Sequence, residues 1–264
     1  MSSIIQVNNL TKRFINSDGQ VLTVLQDISL DIEESSFVCV LGPSGCGKTT
    51  MLKLIGGFET PDSGEIIANG SVVTKPGMDR SMVFQNFDQL LPWKTVAKNI
   101  EYPLKVNKIY DNKAERMEIV HEYLRMMDME KFANYYPHQI SGGMKQRVAI
   151  ARSLAQKPRV ILMDEPFASL DAQTRNSLQE ELYRIWEKTN VTVIFITHNI
   201  QEAIVLGSKI IMMSKAPSRI SVDMENPVDG KGGLRFPGAE GYNECWKLLH
   251  DKLSEQSTQQ KQEL

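Results

Sequence analysis

The part of this sequence that most restricts its fold is a glycine-rich segment at residues 42–49, which reads GPSGCGKT. It matches the pattern G-x-x-x-x-G-K-[ST] at every fixed position. The apolar run Phe37 to Leu41 precedes it and suits a buried strand, and Thr50 to Ile55 continue in a helix-compatible way. The segment therefore predicts a strand, a phosphate-binding loop and a helix, in that order.

The chemistry of this segment follows from its residue types. Glycines let backbone N–H groups close around phosphate oxygens, and the following helix presents its positive end to the same anion. Lys48 is expected to reach the terminal phosphates and the Thr49 hydroxyl to bind Mg²⁺. The alternative is a glycine-rich turn with an incidental lysine, which the flanking strand and helix disfavour. The residues predicted to line the phosphate site are Gly42, Pro43, Ser44, Gly45, Cys46, Gly47, Lys48, Thr49 and Thr50.

Composition excludes several other classes of protein. The 264 residues are 41% hydrophobic and 23% charged, which is ordinary for a globular protein, and a net charge of -2 predicts no nucleic-acid binding. Cys39, Cys46 and Cys245 are odd in number and lack paired spacing, which argues against a disulfide framework and a zinc site. Neither a secretory signal nor a membrane span is evident, so we expect a cytosolic protein unless a partner holds it at a membrane.

The spacing of apolar residues divides the chain into regions. Short strand-like runs at residues 4–41 predict an antiparallel sheet, in which Val21 to Leu25 and Ile28 to Ile32 are separate strands. Helical spacing then dominates, and strands alternate with helices from Ser141, which predicts a parallel sheet covered on both faces. We predict a domain at 4–228 with a helical insertion at 86–156, and an extension at 229–264 whose helix, 242–253, precedes a disordered tail.

Two carboxylates end the apolar run Val160 to Met163. Ligands of open α/β sheets bind at the carboxyl ends of strands, so Asp164 and Glu165 are expected to face the phosphate loop. Asp164 is then placed to hold Mg²⁺, and Glu165 to orient or deprotonate a water that attacks the γ-phosphate. The alternative, that the two merely end a strand and cap a helix, would be preferred if the phosphate loop were missing.

A second anion site is predicted at Ser141-Gly142-Gly143, which opens a helix containing Gln146. The first N–H groups of a helix need partners outside it, and the glycines let a ligand approach. The alternative is a simple serine cap with glycines that allow close packing. One chain thus carries two phosphate-type sites.

At these residues the sequence closely resembles the ATP-binding cassette (ABC) family, the nucleotide-binding subunits of ABC transporters, over residues 4 to 225. The matching motifs are the Walker A loop at Gly42 to Thr49, the Q-loop at Gln85, the signature motif at Ser141 to Gln146, the Walker B strand at Val160 to Glu165, the D-loop at Ser169 to Asp171 and the H-loop at His198. The resemblance implies an α/β, P-loop NTPase fold of the ABC type, with a RecA-like parallel-sheet core, an antiparallel β subdomain and an inserted α-helical subdomain.

The resemblance also implies how the motifs act. Two cassettes, in a homodimer or a heterodimer, would hold each ATP between Lys48 of one and Ser141 with Gly143 of the other. The residues implied in hydrolysis are Glu165, His198, Gln85 and Lys48, and those implied in holding Mg²⁺ are Thr49, Gln85 and Asp164. The further nucleotide contacts implied are Phe14, which would stack on adenine unless it is an ordinary buried aromatic, and Gly142, Gln146 and, at the dimer seam, Asp171. Asn199 departs from the family's usual Asp, which removes a charge beside His198.

A cassette without a fused membrane span implies a separate transmembrane permease, a solute-binding protein behind it, and a place at the cytoplasmic face of the membrane. The runs Pro76 to Gln85 and Leu90 to Trp93 resemble the nitrate/sulfonate/taurine branch of importers. The set Phe87, Leu90, Leu91 and Trp93 would either dock the permease or form a local core. The predicted function is ATP hydrolysis that powers uptake of a small anionic solute such as nitrate, sulfonate or taurine. The alternative is an ATP-driven clamp or regulator outside transport.

Overall fold

The structure, a computed structural model, describes residues 3–85, 89–230 and 234–262, with side chains described up to residue 256. The chain divides into two compact units. The first unit holds the described residues up to Gly77 and from Asn190 onward, and the second unit is Met78–Thr189. The elements are, in chain order, β1 Ser3–Ile15, β2 Val21–Glu33, β3 Phe37–Leu41, α1 Lys48–Gly56, β4 Ser63–Ala68, β5 Ser71–Val72, β6 Arg80–Val83, α2 Val96–Val106, α3 Lys113–Met126, α4 Gly142–Leu154, β7 Val160–Asp164, α5 Ala172–Thr189, β8 Thr192–Ile196, α6 Ile200–Leu206, β9 Lys209–Met213, β10 Ile220–Glu225 and α7 Tyr242–Gln262.

An antiparallel sheet in the first unit has the strand order β2-β1-β4-β5. The prediction of two strands between Val21 and Ile32 is wrong, because β2 runs through both. Leu10 pairs with Ile28 and Lys12 with Leu25, so β2 carries one more residue than β1 between these pairs. Asp27 lies in this bulge with φ at 55°, and such an extra residue interrupts the alternation of side chains without ending the strand.

Four strands of the first unit lie side by side in the order β10-β9-β3-β8. Strand β3 is parallel to both β8 and β9, and β10 is antiparallel to β9. Every residue of β3 and β8 is buried, as continuous apolar runs predict for strands covered on both faces. The carboxyl ends of β3, β8 and β9 consequently lie at one edge of the sheet.

The second unit combines the parallel pair β6 and β7 with helices α2 to α5. Val83 of β6 lies opposite Met163 of β7, so the two strands end next to each other. Helices α2, α3 and α4 pack on one another, as the helical spacing predicted for this stretch of the chain. A hydrogen bond from Ser153 to Ser81, 2.7 Å between the hydroxyl oxygens, ties α4 to β6.

Helix α7 forms the end of the first unit. Tyr242, Cys245 and Leu249 are buried at helical spacing, and α7 packs against α6. The expectation of a helix that ends at 253 and a disordered tail is wrong in the described part, because α7 continues to Gln262. Residues 254–262 lack Gly and Pro and include several good helix formers, so no residue type in this stretch ends the helix. Among the helices described, none is long and apolar enough to cross a membrane.

Candidate nucleotide-binding site

The loop between β3 and α1 requires glycine at defined positions. Gly45 and Gly47 have φ of 76° and 101°, in the left-handed region that favours glycine. A Cβ on Gly47 would also lie 2.8 Å from the side chains of Val24 and Leu25. Gly47 is the N-cap of α1 and provides no side-chain hydrogen bond, so the helix start remains open to an anion.

Lys48 folds back over this loop. Its Nζ donates hydrogen bonds to the carbonyl oxygens of Gly42 at 2.9 Å and Pro43 at 3.0 Å, and the residue is only 6% exposed. An ammonium group has three protons, so one stays available for a phosphate oxygen. The predicted contacts Ser44, Gly45 and Thr49 are exposed along the same loop. Together these features fit a bound triphosphate.

The remaining residues of the loop differ in exposure. Thr50 and Pro43 are partly exposed, whereas Cys46 is 1% exposed, and its Sγ would lie 2.8 Å from a Cβ built on Gly42. The Cys46 side chain therefore packs beneath the loop, and its backbone N–H donates to the Pro43 carbonyl at 3.3 Å.

His198 is placed by the strand next to β3. The N–H of Thr197 donates to the Val40 carbonyl at 3.1 Å, and His198 follows at the exposed sheet edge. The Thr197 hydroxyl donates to Oε2 of buried Glu202 at 2.5 Å and accepts from the N–H of Asn199 at 3.0 Å. The turn that carries His198 is thus held from both sides.

Asn199 has a defined role in this turn. Its Oδ1 accepts hydrogen bonds from the N–H groups of Gln201 at 2.9 Å and Glu202 at 3.4 Å, which caps α6. Asparagine caps helices about as well as aspartate does. The departure from the family's usual Asp therefore preserves the cap and removes only the charge.

Phe14 lies near the end of β1, opposite Leu22 of β2. It is 39% exposed, so it is not an ordinary buried aromatic. Lys12 Nζ lies 5.1 Å from the centre of the ring. A partly open aromatic face of this kind can stack on a nucleotide base.

In the second unit, the parallel register of β6 and β7 brings Gln85, Asp164 and Glu165 to one edge. Asp164 is 7% exposed, and Gln85 is exposed two residues after the end of β6. Glu165 has φ at 43°, a conformation that non-glycine residues seldom adopt and that often marks functional sites. Within this unit the structure thus brings Gln85, Asp164 and Glu165 to the same edge, whereas Thr49 and His198 belong to the first unit.

The described part of the chain has no group of three or more His, Cys, Asp or Glu side chains that could hold a metal. Mg²⁺ commonly binds proteins through one or two carboxylates together with waters and phosphate oxygens of the substrate. Asp164, a buried carboxylate of the second unit, is a donor of that kind.

The signature segment opens α4 as predicted. Ser141 caps the helix by accepting a hydrogen bond from the Met144 N–H at 3.3 Å, and Ser141 itself is exposed. Gly143 is buried, and a Cβ there would lie 2.5 Å from Cγ2 of Thr174 in α5. The exposed Ser141 at the helix start agrees with an anion site, and the close contact of Gly143 with Thr174 agrees with the packing alternative.

Two other predicted nucleotide contacts, Gln146 and Asp171, differ in exposure. Gln146 is 0% exposed, and its amide atoms lack hydrogen-bond partners among the described residues, so the amide is not open to a second subunit. Asp171 is exposed and caps α5, where its Oδ1 accepts from the Thr174 N–H at 2.9 Å. This backbone hydrogen bond lowers the pKa of the Asp171 carboxyl, with the Thr174 side chain adding to the effect.

Four residues were expected either to dock a permease or to form a local core, and the described ones include both buried and exposed side chains. Leu90 is 3% exposed and belongs to the core, Trp93 is 70% exposed, and Leu91 is partly exposed, whereas Phe87 lies outside the described residues. The side chain of buried Asn99 holds the loop, because it accepts from the Leu91 N–H at 2.8 Å and donates to the Lys94 carbonyl at 3.0 Å. The exposed Trp93 is thus carried on a fixed loop.

A glycine-rich loop that leads from a buried parallel strand into an uncapped helix, with a lysine folded over it, defines a P-loop nucleotide-binding protein. The sequence profile of the ABC transporter family matches residues 25–168. The chain belongs to this family and is an ABC transporter ATPase, which confirms the resemblance and the predicted ATP binding.

The chain resembles three of its relatives along most of their length. It is 46% identical over 229 residues to an uncharacterized ABC transporter ATP-binding protein of Methanocaldococcus jannaschii, covering 85% of this chain and 84% of the relative. It is 44% identical over 252 residues to the aliphatic sulfonates import ATP-binding protein SsuB of Bacillus cereus, covering 96% and 95%. It is 42% identical over 220 residues to the nitrate import ATP-binding protein NrtD of Synechocystis, and this match covers 83% of this chain and 81% of the relative.

A solved structure supports the fold class. It is the dimeric structure of an ATP-binding cassette in a post-hydrolysis state bound to ADP and phosphate, 32% identical, with a TM-score of 0.73. The match covers 84% of this chain and 98% of that one. The predicted ABC-type fold is therefore confirmed.

Proposed function

We propose that this chain is the ATP-hydrolysing subunit of an importer that takes up a small anionic solute through a separate permease. The observation that carries the proposal is that one chain presents two helix starts suited to phosphate, the open start of α1 with Lys48 and the start of α4 at Ser141. Relatives named as sulfonate and nitrate import proteins match it over most of their length, which supports sulfonate, nitrate, taurine or a similar anion as the solute.

In this proposal each motif has one task. The loop Gly42 to Thr49 and the Lys48 ammonium bind the phosphates of ATP, and Phe14 stacks on adenine. Thr49, Gln85 and Asp164 hold Mg²⁺, which neutralises phosphate charge when bound. The remaining catalytic tasks are those of Glu165, which takes the proton of the attacking water, and His198, which contacts the γ-phosphate.

A second copy of the chain, or a similar cassette, completes the site. Ser141 and Gly143 of one cassette contact the ATP held by Lys48 of the other, with Asp171 at the seam. ATP binding closes the pair of cassettes and hydrolysis reopens it, so the free energy of ATP binding drives a conformational change. The dimeric cassette among the solved structures, bound to ADP and phosphate, supports this arrangement.

The permease is proposed to bind at the loop that carries Trp93. Exposed aromatic side chains held on a rigid scaffold are typical anchors of protein interfaces. The Asn99 hydrogen bonds provide that rigidity. Such binding would hold the cassette at the cytoplasmic face of the membrane.

The test is reconstitution with the native permease and solute-binding protein, with ATP turnover measured against nitrate, taurine, an alkanesulfonate and bicarbonate. One anion should stimulate turnover. Lys48→Ala should abolish it, Lys53→Ala on the same helix should not, and Glu165→Gln should accumulate an ATP-bound dimer. Full activity of a demonstrably monomeric form would refute the shared site, and a protein that fails to associate with membranes containing the permease would favour the non-transport alternative.

A further inference from the structure

The first turn of α4, which carries Ser141 and Gly143, is tied to two other helices by a single side chain. Arg147 Nη1 donates to the carbonyl of Met127 at 3.0 Å, and Nη2 donates to the Ser177 hydroxyl at 3.3 Å. Nη1 also forms an ion pair with Oε1 of Glu181 at 2.5 Å. The guanidinium thus links α4 to the C-terminal end of α3 and to one face of α5.

The contacts of Arg147 with α5 lie next to the contact between Gly143 and Thr174 of the same helix. Gly143 and Arg147 are four residues apart and share one face of α4. Their partners Thr174, Ser177 and Glu181 are spaced by three and four residues and share one face of α5. Arg147 therefore extends the contact between the two helices by one turn beyond the signature glycine.

The ion pair between Arg147 and Glu181 is largely buried, which restricts the orientations that the two side chains can adopt. The side chains of Arg147 and Glu181 are 16% and 19% exposed, and burial raises the pKa of Glu181 although Arg147 opposes that effect. Met127 is the C-cap residue of α3, so its carbonyl oxygen has no partner within that helix, and the guanidinium supplies one. A planar fork that satisfies three acceptors on two other helices allows few orientations of α4.

Packing alone leaves this turn open on another side. A cavity of about 260 Å³ is lined by Asp128, Ser141, Gly143, Met144 and Arg147, among others. On this side the first turn of α4 is incompletely packed. The hydrogen bonds of Arg147 therefore hold the start of α4 together with the close contact between Gly143 and Thr174.

We propose that Arg147 is a positioning residue that fixes Ser141 and Gly143 for the nucleotide of the opposing cassette. Arg147 itself contacts no substrate in this assignment, which rests on the shared site proposed above. It acts by holding the start of α4 against α3 and α5.

The test compares Arg147→Lys, which keeps the charge but loses the fork, with Arg125→Lys. Arg125 is a matched control in the same unit, because it is 58% exposed and pairs only with exposed Glu130 among the contacts described. In a Glu165→Gln background, Arg147→Lys should weaken ATP-driven dimerisation at least about tenfold, while the affinity of the monomer for ATP stays within about twofold. Arg125→Lys should change neither.

A second readout does not require the shared site. Amide hydrogen exchange of residues 144–148, without ATP, should become at least about tenfold faster in Arg147→Lys and stay unchanged in α1. Unchanged exchange at 144–148 would overturn the proposal, as would equal loss of monomer affinity and dimerisation. If the parental Glu165→Gln protein fails to dimerise with ATP, the shared site is refuted, and the exchange measurement still decides the role of Arg147.

Discussion

Gly143→Ala is a sharp test of the packing at the signature turn. The added Cβ would lie 2.5 Å from Thr174 Cγ2, against an ordinary carbon contact of about 3.5–4.0 Å. Overpacking of this kind costs about 1–3 kcal/mol, and alanine recovers up to about 1 kcal/mol through its higher helix propensity. The expected net loss is about 1 kcal/mol, which lowers Tm by about 2–4 °C for a chain of this size.

A second substitution isolates the clash. Thr174→Ser removes Cγ2 but keeps the hydroxyl and the backbone N–H that serve Asp171. The double variant Gly143→Ala, Thr174→Ser should therefore recover Tm. Because the new methyl points at Thr174, ATP turnover should recover with it.

The assay is a double-mutant cycle of thermal unfolding and ATP turnover on the four proteins. A coupling of about 1–2 kcal/mol between the two sites is expected, because residues in contact do not behave additively. Equal Tm losses in Gly143→Ala and in the double variant would refute the packing argument.

Two further predictions concern helix caps. Asn199→Ala should lower the free energy of unfolding by about 1 kcal/mol in urea titrations, because α6 loses its cap, whereas Asn199→Asp should stay within about 0.5 kcal/mol of the parent. Equal losses in both variants would contradict the capping role. Asp171 has a pKa below its ordinary value of 3.8, so its cap stabilises the fold above that pH and the stabilisation disappears as the pH falls through the lowered pKa. The difference in urea midpoint between the parent and Asp171→Ala, which lacks the cap at every pH, should therefore shrink in acid. A difference that is constant with pH would count against the role of the ionised carboxyl.

Features of the site that depend on neighbouring residues could be predicted from the sequence. The loop Gly42 to Thr49 requires glycine for backbone conformation and close approach, and lysine and threonine for phosphate and metal, at fixed spacing. The buried strands β3 and β7 follow from short continuous apolar runs, and the role of the two carboxylates follows from their place at the carboxyl end of β7. These signals act within about ten residues of chain, so no tertiary information was needed.

Features that depend on residues distant in the chain required the structure. The bulge at Asp27 depends on the register of β1, and the burial of Gln146 depends on what covers α4. Arg147 reaches acceptors 20 and 30 residues away, at Met127 and Ser177, and no local pattern encodes such a pairing. The sequence by itself determined that the chain has a phosphate-binding loop between a buried strand and a helix, because that motif is local. Only the tertiary structure decided how the signature turn is held, because that depends on the packing of three helices.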